Sequence, residues 1–355
     1  MKRLEALEGL RGYAAFLVFL THAFALVSVR LYAIDPDRFS VHESTSAGEA
    51  LCMLLFRSHY GVDLFFVLSG LLMADIAVRR WPGARDFLAR RALRIYPAYI
   101  ASVAIVAVIA FFWLERGFSA RNAAANAALL QGFFVLDIPA INPVTWSLTY
   151  EAAFYLGVPL LALAWSGRPQ AAAASFGWMA VAFLGIVAAS AMLPGAKSIY
   201  FAYFALFVPG IFLGVLDAPA RQRLAQRLPT WAALAAWIAF AASVKLEWLS
   251  NHEPQYYLAS GLACGLLVLK ASDETAALAR LLTHRAALTL GHYSYSFFLI
   301  HYAVLHAYSA FLTAALGTAN PGLYAASLVI GGLALSLLAA RALYALAERF
   351  YFERR

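Results

Sequence analysis

Arg11 and His22 place a cation and an imidazole on one apolar stretch, G-L-R-G-Y-A-A-F-L-V-F-L-T-H-A, with ten residues between them. In a helix, eleven steps of about 100° return the chain to within about 20° of its starting direction, and a rise of about 1.5 Å per residue separates the two groups by about 16 Å. They share one face at two depths. An ionisable group inside a bilayer is costly unless it is paired or meets a wet cavity. The chemistry such a pair could do is proton abstraction by an imidazole that the cation and the low dielectric keep neutral. A simpler reading stays open, in which Arg11 snorkels to the headgroups and His22 only packs.

Three further groups belong to the same outer half of the expected membrane. Asp63 lies in H-Y-G-V-D-L-F-F-V-L-S-G-L-L-M, Glu151 in T-W-S-L-T-Y-E-A-A-F-Y-L, and His301 in G-H-Y-S-Y-S-F-F-L-I-H. Helical rise puts Glu151 about 7.5 Å below the outer end of its span and His301 about 15 Å above the inner end of its own, near the level of His22. Four ionisable side chains from four helices are therefore expected to converge, with Glu151 or Asp63 orienting His22. A purely structural network that fastens helices is the alternative. On the inner side, Arg91 and Arg94 sit one helical turn apart and Arg90 and Arg94 at i and i+4, so their guanidinium groups project together and suit phosphate oxygens. Generic anchoring at the inner face explains the same arginines without a ligand.

The elements that must hold these residues follow from composition. Apolar residues make up 63% of the 355-residue chain and charged residues 13%, with a mean hydropathy of +0.72. Such a chain is an all-α polytopic membrane protein. Hydropathy places about ten transmembrane helices, near 11–29, 59–78, 95–114, 146–165, 172–193, 199–216, 230–248, 255–269, 291–312 and 322–346. With the N-terminus inside, 20 Lys and Arg fall at the inner face and seven outside, at Arg30, Arg38, Arg57, Arg116, Arg121, Lys197 and Lys245. That asymmetry predicts cytoplasmic termini, and it makes the net charge of +8 an orientation signal rather than a sign of nucleic-acid binding.

Residues 1–355 read as one integral membrane domain, whose first span is a retained helix rather than a signal peptide. The polar stretches 30–47 and 115–145 lie outside. In the second, Asn122, Asn126, Gln131, Asp137 and Asn142 surround the apolar run Phe133 to Leu136, which predicts a short interfacial helix able to lid an outward site, or a plain connecting loop. Tyr200, Phe201 and Tyr203 read as interfacial belt. Cys52 and Cys264 indicate neither a disulfide framework nor a thiol metal site, and no metal ligand set is expected.

Taken in order, Arg11-x10-His22, the run Gly61 to Gly70 containing Asp63 and Ser69, Arg91-x-x-Arg94 before Tyr96-Pro97, the run Trp146 to Tyr155 containing Glu151, and Ser294 to His301 resemble the membrane acyltransferase-3 family over nearly the whole chain. The resemblance implies transfer of an acyl group, often acetyl, from cytoplasmic acyl-CoA to a hydroxyl of a cell-envelope or secreted carbohydrate or small molecule. Acyl-CoA would be a co-substrate, with no permanently bound cofactor. It implies a bacterial inner-membrane location. A glycan-assembly or periplasmic partner is left open, because the SGNH-type domain fused to some relatives is not expected here.

By that resemblance Arg11 and His22 match the functional pair, and Arg91 with Arg94 the R-x-x-R motif. Glu151 joins the first pair as a candidate catalytic group, Arg90 joins the second as donor-binding, and Asp63, Ser69, Gly70, Trp146, Tyr155 and His301 are expected to support the site. His22 is open between general base and transient acyl carrier. G-x-S-x-G, P-loop, H-E-x-x-H and H-x4-D patterns are absent. The rival reading is a proton-coupled secondary transporter of a small anion or sugar, because buried His, Asp and Glu serve those proteins too.

Overall fold

Long uninterrupted apolar runs give long helices here, because a bilayer satisfies no backbone group from outside the segment. The computed structural model describes residues 5–114, 117–133, 136–193 and 201–353, and its regular elements are all helical. Glu115, Arg116, Phe134, Val135, Lys197 and Tyr200 of the sequence reading lie outside the described residues. In chain order the α-helices are α1 Glu5–Tyr32, α2 Ala47–Phe56, α3 Gly61–Arg79, α4 Ala84–Leu114, α5 Ala120–Ala127, α6 Trp146–Trp165, α7 Pro169–Ala174, α8 Phe176–Ala191 and α9 Phe207–Val215. They continue with α10 Ala218–Arg227, α11 Thr230–Lys245, α12 Pro254–Ala271, α13 Ala277–Leu282, α14 Arg285–His292, α15 Ser294–Leu316, α16 Pro321–Leu343 and α17 Arg349–Glu353.

Among the described residues, six stretches are long and apolar enough to cross a membrane: Glu5–Tyr32, Ala47–Arg79, Ala84–Ile109, Pro143–Trp165, Ser294–Leu316 and Pro321–Tyr351. They carry six of the ten expected spans. The other four fall on shorter or more polar helices. Residues 172–193 and 230–248 fall on α8 and α11, each of 16 residues, or about 24 Å against a hydrocarbon core of about 30 Å. Residues 255–269 fall on the more polar α12. Residues 199–216 end in a break, where Tyr203–Val215 meets Ala218–Arg227 at 108°.

That break has a visible cause. Asp217 caps α10 by accepting from the Ala220 N–H at 2.6 Å, and Pro219 fits the first turn that follows. The carbonyls left over at the end of α9 are not abandoned. Arg79 donates to the Gly214 carbonyl at 2.7 Å and to Val215, while Arg221 donates to Leu213 at 3.2 Å.

α1 lies at the centre, in contact with α2, α3, α14, α15 and α16. Its polar residues therefore face protein rather than lipid. Thr21 and Ser28 donate to the carbonyls of Leu17 and Phe24, which satisfies two buried hydroxyls within the helix itself. α3 packs on α9 through small residues. A Cβ on Gly70 would collide with the Phe207 carbonyl oxygen and one on Gly210 with that of Val67, so only glycine permits this approach. α6 turns Leu156, Leu160 and Leu163 outward, all more than two-thirds exposed. An apolar face of that kind suits lipid.

Candidate active site

Three arginines meet in the interior. Arg11 from α1 and Arg91 and Arg94 from α4 line one cavity of about 100 Å³, opposite Ser69 of α3 and Glu151 and Tyr155 of α6. Ser147, Ser294 and Tyr295 add hydroxyls, and Phe65, Phe66 and Phe298 close the apolar side. Among the described residues no hydrogen bond or ion pair ties Arg11 down, although Glu151 and Tyr155 are within electrostatic reach. The carboxylate is held from two sides: Ser69 Oγ donates to Glu151 Oε1 at 3.0 Å, and the Tyr155 hydroxyl donates to the same oxygen.

Each α4 arginine is fixed from behind. Arg91 donates to the Tyr351 hydroxyl at 3.0 Å and lies 5.8 and 5.9 Å from the ring centroids of Phe87 and Tyr155. Its Nε is buried without a partner, as is the Ser294 hydroxyl. Arg94 pairs with Glu348, whose side chain is fully buried, and its guanidinium sits 5.1 Å over Tyr295. The other Glu348 oxygen accepts from Ser296 Oγ at 2.7 Å. Glu348 reaches this point from a π-helical turn, Tyr344–Glu348, that follows α16. With three guanidiniums against Glu151 and the set-back Glu348, the cavity can bind an anion or stabilise a developing negative charge.

A second polar centre sits higher on α1. His22 Nδ1 donates to the Val18 carbonyl at 2.9 Å and approaches His301 Nε2 at 3.1 Å. His301 Nδ1 in turn donates to the Phe297 carbonyl at 3.0 Å. The two carbonyls assign the ring protons: each Nδ1 carries hydrogen, His301 Nε2 accepts from His22, and His22 Nε2 keeps its lone pair. Tyr302 packs edge-on to His22 with ring centroids 5.3 Å apart. Phe298 lies between the two centres, lining the cavity on one side and standing 6.2 Å from the His301 ring on the other.

The expected convergence of four ionisable groups is thus divided. His22 meets His301, whereas Glu151 joins the arginine cavity, and neither Glu151 nor Asp63 is hydrogen-bonded to His22. Asp63 accepts from Tyr256 at 2.8 Å and Ser260 at 2.6 Å, a buried bond between α3 and α12. Gly70 serves helix packing, Trp146 meets Tyr150 edge-on and Tyr203 at a tilt, and Arg90 is exposed and does not line the cavity. Arg91 and Arg94 are one turn apart and face inward, while Arg90 lies about 100° round the helix from Arg91 and a turn before Arg94, toward the exposed start of α4.

In the 115–145 stretch the described α-helix is α5, ahead of the apolar run, and Asn126, Gln131 and Asn142 are buried within the protein. Asn142 donates to the Leu299 carbonyl of α15 at 2.8 Å and Gln131 to the Thr145 carbonyl at 3.1 Å, so the segment is stitched into the bundle. Among the described residues no group of His, Cys, Asp and Glu could hold a metal ion, and both cysteines are free and buried. Ser147, Ser294, Tyr295, Glu348 and Tyr351 were not singled out from sequence. For Glu348 a signal existed, an acid just beyond the last expected span and between the basic Arg341 and Arg349.

Fold and site together define an all-helical membrane protein with ionisable side chains arranged at two depths of its interior. The chain belongs to the acyltransferase-3 family, whose acyltransferase domain matches residues 4–341. It is 27% identical to the acyltransferase MdmB of Streptomyces mycarofaciens, across 95% of this chain and 87% of that protein. Shorter matches are an uncharacterized protein of Haemophilus influenzae, 33% identical over 28% of this chain and 47% of its own length, and nodulation protein 10 of Rhizobium leguminosarum bv. viciae, 31% identical over 37% and 40%. No solved structure matches the chain.

Proposed function

We propose that this membrane acyltransferase moves an acetyl group from cytoplasmic acetyl-CoA to a hydroxyl of a cell-envelope or secreted carbohydrate or related acceptor. It would act in a bacterial inner membrane, with about ten crossings and both termini cytoplasmic. The observation that carries the reading is the pairing, on one helix, of an arginine-lined cavity with an imidazole whose Nε2 is free to take a proton. Donor phosphates would lie against Arg91 and Arg94, with Arg11 lining the same cavity, and the pantetheine arm would carry the thioester toward His22.

In the transfer, the acceptor oxygen attacks the thioester carbonyl while His22 Nε2 takes the hydroxyl proton. The new C–O bond forms, the C–S bond breaks, and the proton passes to the leaving CoA thiolate. Arg11, about 16 Å from His22 along α1, lies too far to reach that oxyanion and instead adds its charge to the donor cavity. His301 holds the His22 ring and fixes its tautomer, the role first expected of a carboxylate. The 16 Å that helical rise sets between Arg11 and His22 is within reach of an extended pantetheine arm, with Phe298 along the way.

The test is enzymatic. Purified protein in detergent should release CoA from acetyl-CoA and hand the acetyl group to an added acceptor. Arg91→Ala and Arg94→Ala should raise the donor KM by about tenfold with smaller loss of kcat, and Lys at either position should recover only part, since it lacks the planar fork. Unchanged donor KM in the folded double variant would return these arginines to membrane anchoring. The acceptor itself would be identified by mass spectrometry of envelope glycans and secreted molecules that lose 42 Da, roughly one acetyl group, when the protein is deleted.

A further inference from the structure

Arg94 could satisfy its charge with water at an inner membrane face, yet it is paired with a carboxylate that reaches no solvent at all. Glu348 is fully buried, spends one oxygen on Arg94 and the other on Ser296, and does not line the cavity. A few residues on, the Tyr351 hydroxyl oxygen accepts from Arg91, and its ring lies 5.9 Å from the Arg94 guanidinium. Both partners come from the segment 344–353, past the family-matched region that ends at 341. That segment departs from α-helical geometry at just this point, with a π-helical turn that ends on Glu348. Such turns add a residue to a helix and re-aim the side chains that follow.

We infer that Glu348 and Tyr351 are positioning residues: the C-terminal segment acts as a clamp that holds the backs of Arg94 and Arg91 so that their remaining N–H groups face the cavity. A guanidinium has five donors in a rigid fork, and occupying one of them from outside orients the rest. Tyr295 below Arg94 and Tyr155 with Phe87 beside Arg91 leave the side chains few other rotamers once the polar anchor is set. The anchors also explain how three arginines coexist around one small cavity, because Glu348 offsets part of their mutual repulsion from a position that cannot compete for the ligand. This inference rests on the reading of the cavity as the donor site.

The test uses the purified full chain and measures equilibrium binding of CoA together with steady-state acetyl-CoA turnover. Glu348→Gln is expected to weaken CoA binding and raise the donor KM by about tenfold while kcat stays within about twofold, and Glu348→Asp to recover part of the loss. In an Arg94→Ala background Glu348→Gln should add nothing, because the arginine it positions is gone. A Glu348→Gln protein with unchanged CoA affinity, or one whose loss is equally large in the Arg94→Ala background, would overturn the clamp. Should Glu348→Gln fail to fold, Tyr351→Phe removes only the hydroxyl on Arg91 and should weaken CoA by about threefold; wild-type affinity there overturns the clamp equally. CoA binding that survives loss of both Arg91 and Arg94 would instead overturn the donor assignment.

Discussion

At the scale of single residues, His22 carries the sharpest expectation. Its Nδ1 is committed to Val18 and His301, so Nε2 is the basic atom, and near neutral pH an imidazole lone pair is the right acceptor for a hydroxyl proton. His22→Gln, which keeps size and polarity but no base, should lose at least about 100-fold in acceptor acylation while CoA binding is retained. His301→Gln should lose less, about tenfold and in kcat, because it removes the neighbour that orients the ring rather than the base itself. Substantial acylation by a stable His22→Gln enzyme would refute the assignment. Spacing alone put Arg11 and His22 on one face, and it grouped Arg91 with Arg94. It could not say who pairs with whom, because lateral neighbours in a bundle are set by packing between helices far apart in sequence. Asp63 is held by Tyr256 and Ser260, nearly two hundred residues away, and Arg94 by Glu348.

Elements were legible where they were long and plainly apolar, and less so where a helix was short, bent or polar at one end. The hydropathy reading started a span at 95, but α4 begins at Ala84 because its charged first turns are helical as well as basic. The bend after α9 was hidden because Asp217, Pro219 and Arg221 register as a polar gap, not as caps for a helix that stops short. Close packing was invisible for the same reason: glycines in a membrane span look alike until a neighbour is known. Gly210 faces the Val67 carbonyl so closely that a methyl group would overlap it, whereas Gly185 of α8 has nothing within 4 Å. Gly210→Ala should therefore destabilise the folded protein by about 1–3 kcal/mol and lower its unfolding temperature in detergent. Gly185→Ala should leave that temperature unchanged or raise it slightly, as expected where alanine replaces glycine in an open helix. Equal melting of the two variants would show that the contact between α3 and α9 is not as tight as the backbone implies.

For the whole molecule, the two polar centres acquire a direction only from the way the bundle sits in the membrane. Arg91 and Arg94 follow Arg79, Arg80, Arg85 and Arg90 in the chain, the densest run of basic residues, while His22 lies about 16 Å along α1 from Arg11. If the basic side is cytoplasmic, a donor made in the cytoplasm meets the arginine cavity and an acceptor on the outer side meets His22, with Phe298 between them. The orientation can be measured without any knowledge of the acceptor. In a background with Cys52 and Cys264 replaced, single cysteines at Ser119, ahead of α5, and at Gly317, after α15, should react with an impermeant maleimide added to intact cells. A cysteine at Gln226, near the end of α10, should react only after the cells are opened. All three positions are exposed, so failure to label reports sidedness rather than burial. Because the 20 basic residues assigned to the inner face outnumber the seven outside, the expected pattern is strong labelling at 119 and 317 and none at 226. The reverse pattern would put the arginine cavity on the side that has no acyl-CoA, and both the donor site and the direction of transfer would have to be abandoned.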